Sequence, residues 1–476
     1  PSAMRTPTLL TALAFALLAG CAAEVEAPKP MLVGDIAIEA WPLPAMPGTA
    51  SPDLSRAPDG RLLLSWISEV PGRRPAFQFA EHLPDRGWQT ARTIAVGNSM
   101  FVNWADTPHI TATPDRALWA HWLQKSADAP YAYDVMLVRS LDHGMNWSDP
   151  RKVHDDATTT EHGFVSMWAQ DDGLLGMAWL DGRNTGAGAH AAEHDDHQGD
   201  HGAERGPMTL RAAVFDANMV DRDAAEIDAD VCDCCQTDVA TTSDGALLVY
   251  RDRTKDEIRD IYATRFDGKA WSTPKPVHAD GWKMPACPVN GPSVAALGKQ
   301  AAVAWYTGAN DEVAVKLAAS ADAGASFGKP LVVDKGPEVA GRVAVAIDAK
   351  QVWVVWLREV KGAQSLWLAR YAPDLSKEIQ RTKLADVNGR GRATGMPKLV
   401  LDGAVAHVVW TDVVDGTPQL FSDVVVTVVP GDPASIEIVE GDELSAVQGE
   451  PTATRPAVVV RDARGNAVPG VEVRFH

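Results

Sequence analysis

Basic residues are in deficit. The chain carries 44 Lys and Arg against 63 Asp and Glu, a formal net charge of −19. That balance argues against nucleic acid and anionic membrane surfaces as partners, because both need a cationic face. Cysteine is sparse, five in 476 residues, whereas 46% of the chain is hydrophobic and 16 residues are Trp. The fold therefore has material for a large core. The apolar run LLTALAFALLAG after Met4-Arg5 is too short to cross a bilayer as a helix.

What is present is a repeat. Val231 to Trp271 reads as strand, Ser243-Asp244-Gly245 turn, apolar strand ALLVYRD, polar loop, strand IYATRFD and a second Asp-Gly turn. Short strands broken by Asp-Gly turns signal an antiparallel meander. The second strand of the unit ends in an aromatic seven times: Trp66, Trp122, Trp179, Tyr250, Trp305, Trp356 and Trp410, 51 to 57 residues apart except for one gap of 71. A period of roughly 40–50 residues with several strands per repeat predicts a β-propeller, whose sheets must stack in a ring to bury their faces. The predicted blades are 49–97, 103–156, 161–228, 231–280, 287–336, 339–388 and 392–428. The last has three strands, and the early strand GDIAIEAWP, Gly34 to Pro42, is expected to complete it. Gly186 to Gly206, a histidine-rich insertion in blade three with no apolar period, is expected to be a mobile loop.

The basic start and short apolar run form a signal peptide, 1–21. Leu18-Ala19-Gly20-Cys21 resembles the bacterial lipobox, which implies cleavage before Cys21 and lipidation of its thiol. Ala22 after it implies outer-membrane sorting, and 22–33 reads as a tether to the envelope. Past the propeller span, 34–428, the pattern changes. Residues 429–476, and Asp462 to Gly470 (DARGNAVPG) above all, resemble the start of a bacterial Ig-like β-sandwich of the invasin/intimin group. The segment is shorter than such a sandwich needs.

Ser140-Leu-Asp142-His-Gly144-Met-Asn-Trp147 has the form S-x-D-x-G-x-x-W, and Ser320-Ala-Asp322-Ala-Gly324-Ala-Ser-Phe327 repeats it with Phe. Asp85-Arg-Gly87-Trp88 and Asp267-Gly268-Lys-Ala-Trp271 are eroded copies. These are similar to the Asp-box (BNR) turns of sialidase-type propellers. The resemblance implies an all-β, sialidase-like propeller, seven-bladed by the aromatic period or six-bladed as in that family. It implies carbohydrate or glycoconjugate as partner and exo-sialidase-like glycoside hydrolysis as the activity. That family uses an arginine triad, a Tyr–Glu nucleophile pair and an Asp acid/base. Its Phe/Tyr-Arg-Ile-Pro motif is absent here.

Propeller topology locates the candidate site. Loops entering first strands and loops following second strands open on one face. The entering loops supply Asn103, Asp106, Glu161, His162, Cys234, Cys235, Gln236, Asn290, Arg342, Arg390 and Arg392; the other set supplies Asp181, Arg183, Arg251, Asp252, Arg253, Arg259 and Asp260. Asp106, Glu161 and His162 are the acid/base candidates, since glycoside hydrolysis needs paired carboxyls. Tyr131 or Tyr133 would be the tyrosine nucleophile. Asn103, Gln236, Asn290, Arg183, Arg251, Arg253, Arg259, Arg342 and Arg392 are the substrate-binding candidates, arginine forks being suited to carboxylates. Internal salt bridging within YRDR and EIRD is the plainer alternative.

With Cys21 lipidated, Cys232, Cys234, Cys235 and Cys287 remain, an even number that favours two disulfides. Cys287 opens blade five as CDCC opens blade four, so a bridge between neighbouring blades is reasonable. No cofactor is expected; the rival reading is a thiolate site for copper or zinc, with His162 or the insertion's His190, His194, His197 and His201 nearby. A monomer is expected, touching the membrane only through its lipid. Two further readings stay open: a non-catalytic adhesion or scaffold module, and a Cys/His metal-binding or redox protein.

Overall fold

A computed structural model describes residues 30–170, 173–186, 206–394, 396–428, 431–441, 457–463, 465, 468 and 471–474. The leader, Cys21 and nearly all of the histidine-rich insertion, including its four histidines, lie outside the described residues.

Seven antiparallel sheets form the body. Their innermost strands are Thr49–Arg56, Ile110–Ala112, His162–Ala169, Asp238–Thr242, Ser293–Leu297, Val339–Ile347 and Lys398–Asp402. Each touches the next around a closed circle, blade seven meeting blade one. This is the seven-bladed propeller that the aromatic period predicts. The seven periodic aromatics explain the stacking, for all are between 0% and 6% exposed.

Blade seven takes its outer strand from the other end of the chain. Ile36–Ala40 pairs antiparallel with the strand Thr417–Thr427, Ile36 opposite Thr427 and Ala40 opposite Asp423. Met31–Val33, read from sequence as the end of a tether, adds a fifth strand outside it. Beyond the propeller the described residues contain one two-stranded sheet, Pro433–Glu440 with Ala457–Asp462.

The two full Asp-boxes are alike. Ser140 Oγ donates to Asp142 Oδ1 at 2.9 Å and accepts the Gly144 N–H at 2.9 Å; Ser320 does the same with Asp322, 2.8 Å, and Gly324, 2.9 Å. Gly144 has φ +76° and backs onto Phe79, whose Cζ would sit 2.3 Å from a Cβ there. The turn thus needs glycine for its dihedral and for its contact with the preceding blade. The Asn146 side chain and amide hold the Asp142 carboxyl down to about 2, and the Ser326 hydroxyl and amide do the same for Asp322, with lesser help from the box serines.

Candidate functional site

The inner strands enclose an axial cavity of about 270 Å³. Polar side chains from six blades line it: Asp53, His109, Asp238, Ser293, Arg342 and Lys398. Asp53 faces His109 Nδ1 at 3.0 Å and Lys398 Nζ at 3.5 Å. Burial alone would raise the Asp53 pKa, but His109, Lys398 and the Ile110 N–H outweigh it and hold the carboxyl well below the usual range. Asp238 accepts Ser293 Oγ at 2.9 Å and the Val294 N–H at 2.8 Å, and burial raises its pKa. None of Asp53, His109, Asp238 and Lys398 is among the residues that sequence reasoning chose. Their only signal is position, on or beside inner strands.

One end of the channel is crossed by the loop that enters blade two. Trp104 lies under the Arg342 guanidinium of blade six, 4.9 Å from it. The Ala105 carbonyl accepts Gln236 Nε2 of blade four at 2.9 Å. A loop from blade two that reaches blades four and six spans the mouth. Gln236 also accepts the Gly291 N–H at 3.0 Å, and Asn290 Oδ1 accepts the Arg342 N–H at 2.7 Å. Both amides therefore stitch blades together. Asn103 caps its own loop, accepting the Ala105 N–H at 2.8 Å.

The three acid/base candidates sit in the seam between blades two and three. Tyr133 O–H donates to Glu161 Oε1 at 2.5 Å and lies 3.3 Å from Asp106 Oδ2. Phe101 stacks on the Tyr133 ring at 4.2 Å. Burial, then the Glu161 charge, push the Asp106 pKa well above the usual carboxylate range. Asp106 and Glu161 are thus brought together, through Tyr133, but all three are at most 5% exposed. Tyr131 is half-buried nearby, in edge contact with Phe101. His162 turns the other way. Its Nδ1 is 3.2 Å from the Thr160 carbonyl, while Nε2 faces Asp156 at 3.1 Å and Asp181 at 3.6 Å. His154 stacks on it, ring centroids 3.6 Å apart. Burial disfavours charge on His162, but Asp181, then Asp156 and Asp134, outweigh that and raise its pKa. His154 and Asp156 were missed from sequence; their strand-end H-x-D spacing was the available hint.

The arginines are engaged internally. Arg251, 2% exposed, donates to the carbonyls of Arg259, Asn290 and Tyr306 at 2.6 to 2.8 Å. Arg259, also 2% exposed, holds Glu257 at 2.9 Å and Cys232 Sγ at 3.3 Å. Arg253 takes the other Glu257 oxygen at 2.7 Å, and Arg183 chelates Asp181 at 2.7 and 2.9 Å. Arg342 bonds the loop carbonyls of Gly391 and Thr394 at 3.0 and 3.3 Å. The expected open clamp of arginines is therefore not what the fold builds; Glu257 takes Arg259, the internal pairing within EIRD that the sequence offered as the plainer alternative, and main-chain carbonyls, invisible as partners in the sequence, take the donors of Arg251 and Arg342. The Arg392 side chain lies outside the described residues.

The cysteines gather where blades four and five open. Cys234 and Cys287 are disulfide-bonded, the bridge between neighbouring blades expected from their positions. Cys232 and Cys235 are buried thiols with sulfurs 3.1 Å apart. One disulfide and one dithiol thus stand in place of the two disulfides expected.

No curated protein matches the chain. Among solved structures it is similar to a protein of unknown function from Dyadobacter fermentans (12% identity, 69% of this chain and 97% of that one, TM-score 0.44). It is also similar to a mutant of NanB sialidase from Streptococcus pneumoniae (8%, 77% and 83%, TM-score 0.41) and to a mutant of the α-L-arabinofuranosidase Arb93a from Fusarium graminearum (15%, 84% and 97%, TM-score 0.43). Residues 77–380, running from blade one into blade six, match the BNR repeat-like domain. A match over most of the chain, carried on a propeller with Asp-box turns in blades two and five, makes this protein a member of the BNR repeat-like domain family.

Proposed function

We propose that this protein is a glycan-recognition propeller of the bacterial cell envelope, which reads a single acidic sugar residue at its axial channel without cleaving it. One observation carries the reading: six blades send Asp53, His109, Asp238, Ser293, Arg342 and Lys398 to one polar cavity of about 270 Å³. That lies just under the ~300 Å³ lower end of small-ligand pockets, room for a sugar residue and not for a chain. Lys398 supplies the positive charge for a carboxylate, and Asp53, Ser293 and His109 the hydrogen bonds for hydroxyls. Membership in the BNR family and the Asp-box resemblance to sialidases support a carbohydrate target. Cleavage is left out because Asp106, Tyr133 and Glu161 are buried and the arginines are spent internally. The leader and the lipobox support a lipid anchor on Cys21, and the segment after residue 430 supports an Ig-like spacer.

A glycan array read with the purified protein, alongside an assay for released sugar, tests this. We expect binding to glycans with acidic terminal residues, weakened at least tenfold in Lys398→Ala, and no sugar release. Release of sugar, an array without signal, or binding indifferent to Lys398→Ala would each overturn the proposal.

A further inference from the structure

Cys232 and Cys235 stand in C-x-x-C spacing within CDCC. That spacing is common to redox dithiols and metal sites. Here the four sulfurs occupy two levels. The lower level is the dithiol, Cys232 and Cys235, 1% and 2% exposed, with sulfurs 3.1 Å apart. The upper level is the Cys234–Cys287 disulfide, whose residues are only half-buried. Cys232 Sγ lies 4.0 Å from Cys234 Sγ, so the levels are in contact.

Charge distinguishes the possible uses. A buried thiolate is costly without a cation beside it. Arg259 Nη1 reaches Cys232 Sγ at 3.3 Å, and Arg251 is buried close by. Guanidinium groups already beside the pair favour a thiolate within it and disfavour a metal ion. The pair is also asymmetric. Burial pushes the Cys235 thiol up, but the Cys232 S–H bonded to it and the Arg251 charge bring it down to about 7, whereas burial leaves Cys232 well above the usual thiol range.

We propose that these four cysteines form a two-level thiol–disulfide relay, in which the buried Cys232–Cys235 dithiol and the surface Cys234–Cys287 disulfide interchange, and the surface pair trades electrons with low-molecular-weight thiols and disulfides. The inner step balances without an outside reagent. Cys235 loses its proton to solvent and, as the thiolate that Cys232 S–H already donates to, takes the Cys232 proton. The Cys232 thiolate, held by Arg259, attacks Cys234 Sγ; the Cys232–Cys234 bond forms, the Cys234–Cys287 bond breaks, and Cys287 leaves as a thiolate and is protonated. Cys235, having passed its proton to solvent, then attacks Cys232 Sγ, forming Cys232–Cys235 and releasing Cys234 as a thiolate that is protonated. One disulfide and two thiols stand on each side, and two electrons have moved from the lower level to the upper.

The full chain is equilibrated across stepped ratios of reduced to oxidised glutathione, quenched in acid and alkylated, and its cysteine pairings are mapped by peptide mass spectrometry. We expect two-electron-reduced molecules to divide between the Cys232–Cys235 and Cys234–Cys287 pairings. Without glutathione, folded wild-type protein should accept maleimide at Cys287, and Cys232→Ser should reduce that labelling at least tenfold. If Cys232→Ser fails to fold, the wild-type pairing map decides alone. Cys234–Cys287 as the sole pairing at every ratio overturns the relay. So do two disulfides that resist glutathione until the chain unfolds, or tightly held zinc or copper that blocks the thiols.

Discussion

Gly163 has no room for a side chain. A Cβ there would lie 1.9 Å from Asp106 Oδ2 and 3.0 Å from the Tyr133 ring. Gly163→Ala is therefore expected to cost about 1–3 kcal/mol, the usual range for overpacking a filled core, read as a lower midpoint in urea unfolding. Asp106 itself gives a pH signature. Its folded pKa is raised by burial above the unfolded value near 4, so the native state binds the extra proton. That contribution is fully present below about pH 4 and is lost as pH rises towards the folded pKa. Asp106→Asn keeps the neutral group and removes the titration. Its stability relative to wild type should grow from pH 4 to pH 8 in parallel urea titrations; a constant difference would show that Asp106 is not the proton holder. Such residue-level facts were partly legible. The pairing of Asp106 with Glu161 was named from sequence, but the fates of Arg251 and Arg259 were not. Apart from Glu257, which the charge alternation of EIRD did suggest for Arg259, their partners are main-chain carbonyls and a thiol, and no side-chain pattern announces a carbonyl.

The Asp-box is the element whose behaviour can be forecast most directly. Ser140 and Ser320 each hold one carboxylate and one glycine amide in equivalent turns of blades two and five. Replacing either with Ala leaves a buried N–H without its acceptor, at about 1 kcal/mol. The blades are well separated, so the double variant should lose the sum of the single losses in thermal or urea unfolding. A coupling well beyond about 0.5 kcal/mol would mean that the blades do not act as independent units. Strand order was readable at this scale because an apolar strand ending in a buried aromatic recurs with an Asp-Gly turn before it. The loop that enters blade two was read as one of several lining an open mouth. It spans that mouth instead, because Trp104 and Ala105 meet Arg342 and Gln236, residues over 130 positions away. Contacts at such separation carry no local signal.

At the scale of the whole molecule the ring depends on one joint. Ile36 and Ile38 are 0% and 5% exposed, packed in the core that blade seven shares with blade six. A chain beginning at Trp41 would lose both and expose the edge of Thr417–Thr427. Burial of two such side chains is worth about 3–6 kcal/mol, so the shortened chain should unfold at markedly lower denaturant and self-associate through the bared edge, as size-exclusion chromatography would report. The joint was legible because three strands in the last repeat and one spare strand before the first add to a complete sheet. The channel chemistry was not, because Asp53, His109 and Lys398 come from three blades and acquire meaning only once the circle closes.

That joint also orders events in time. Translation makes Ile36–Ala40 before the first blade and Thr417–Thr427 only with the last, so the latch is synthesised long before its keeper exists. A nascent chain can stack its early sheets as they emerge, yet its leading isoleucines stay homeless until the seventh blade has emerged. Whatever shelters that greasy leading strand in the interval governs how much usable protein a cell obtains.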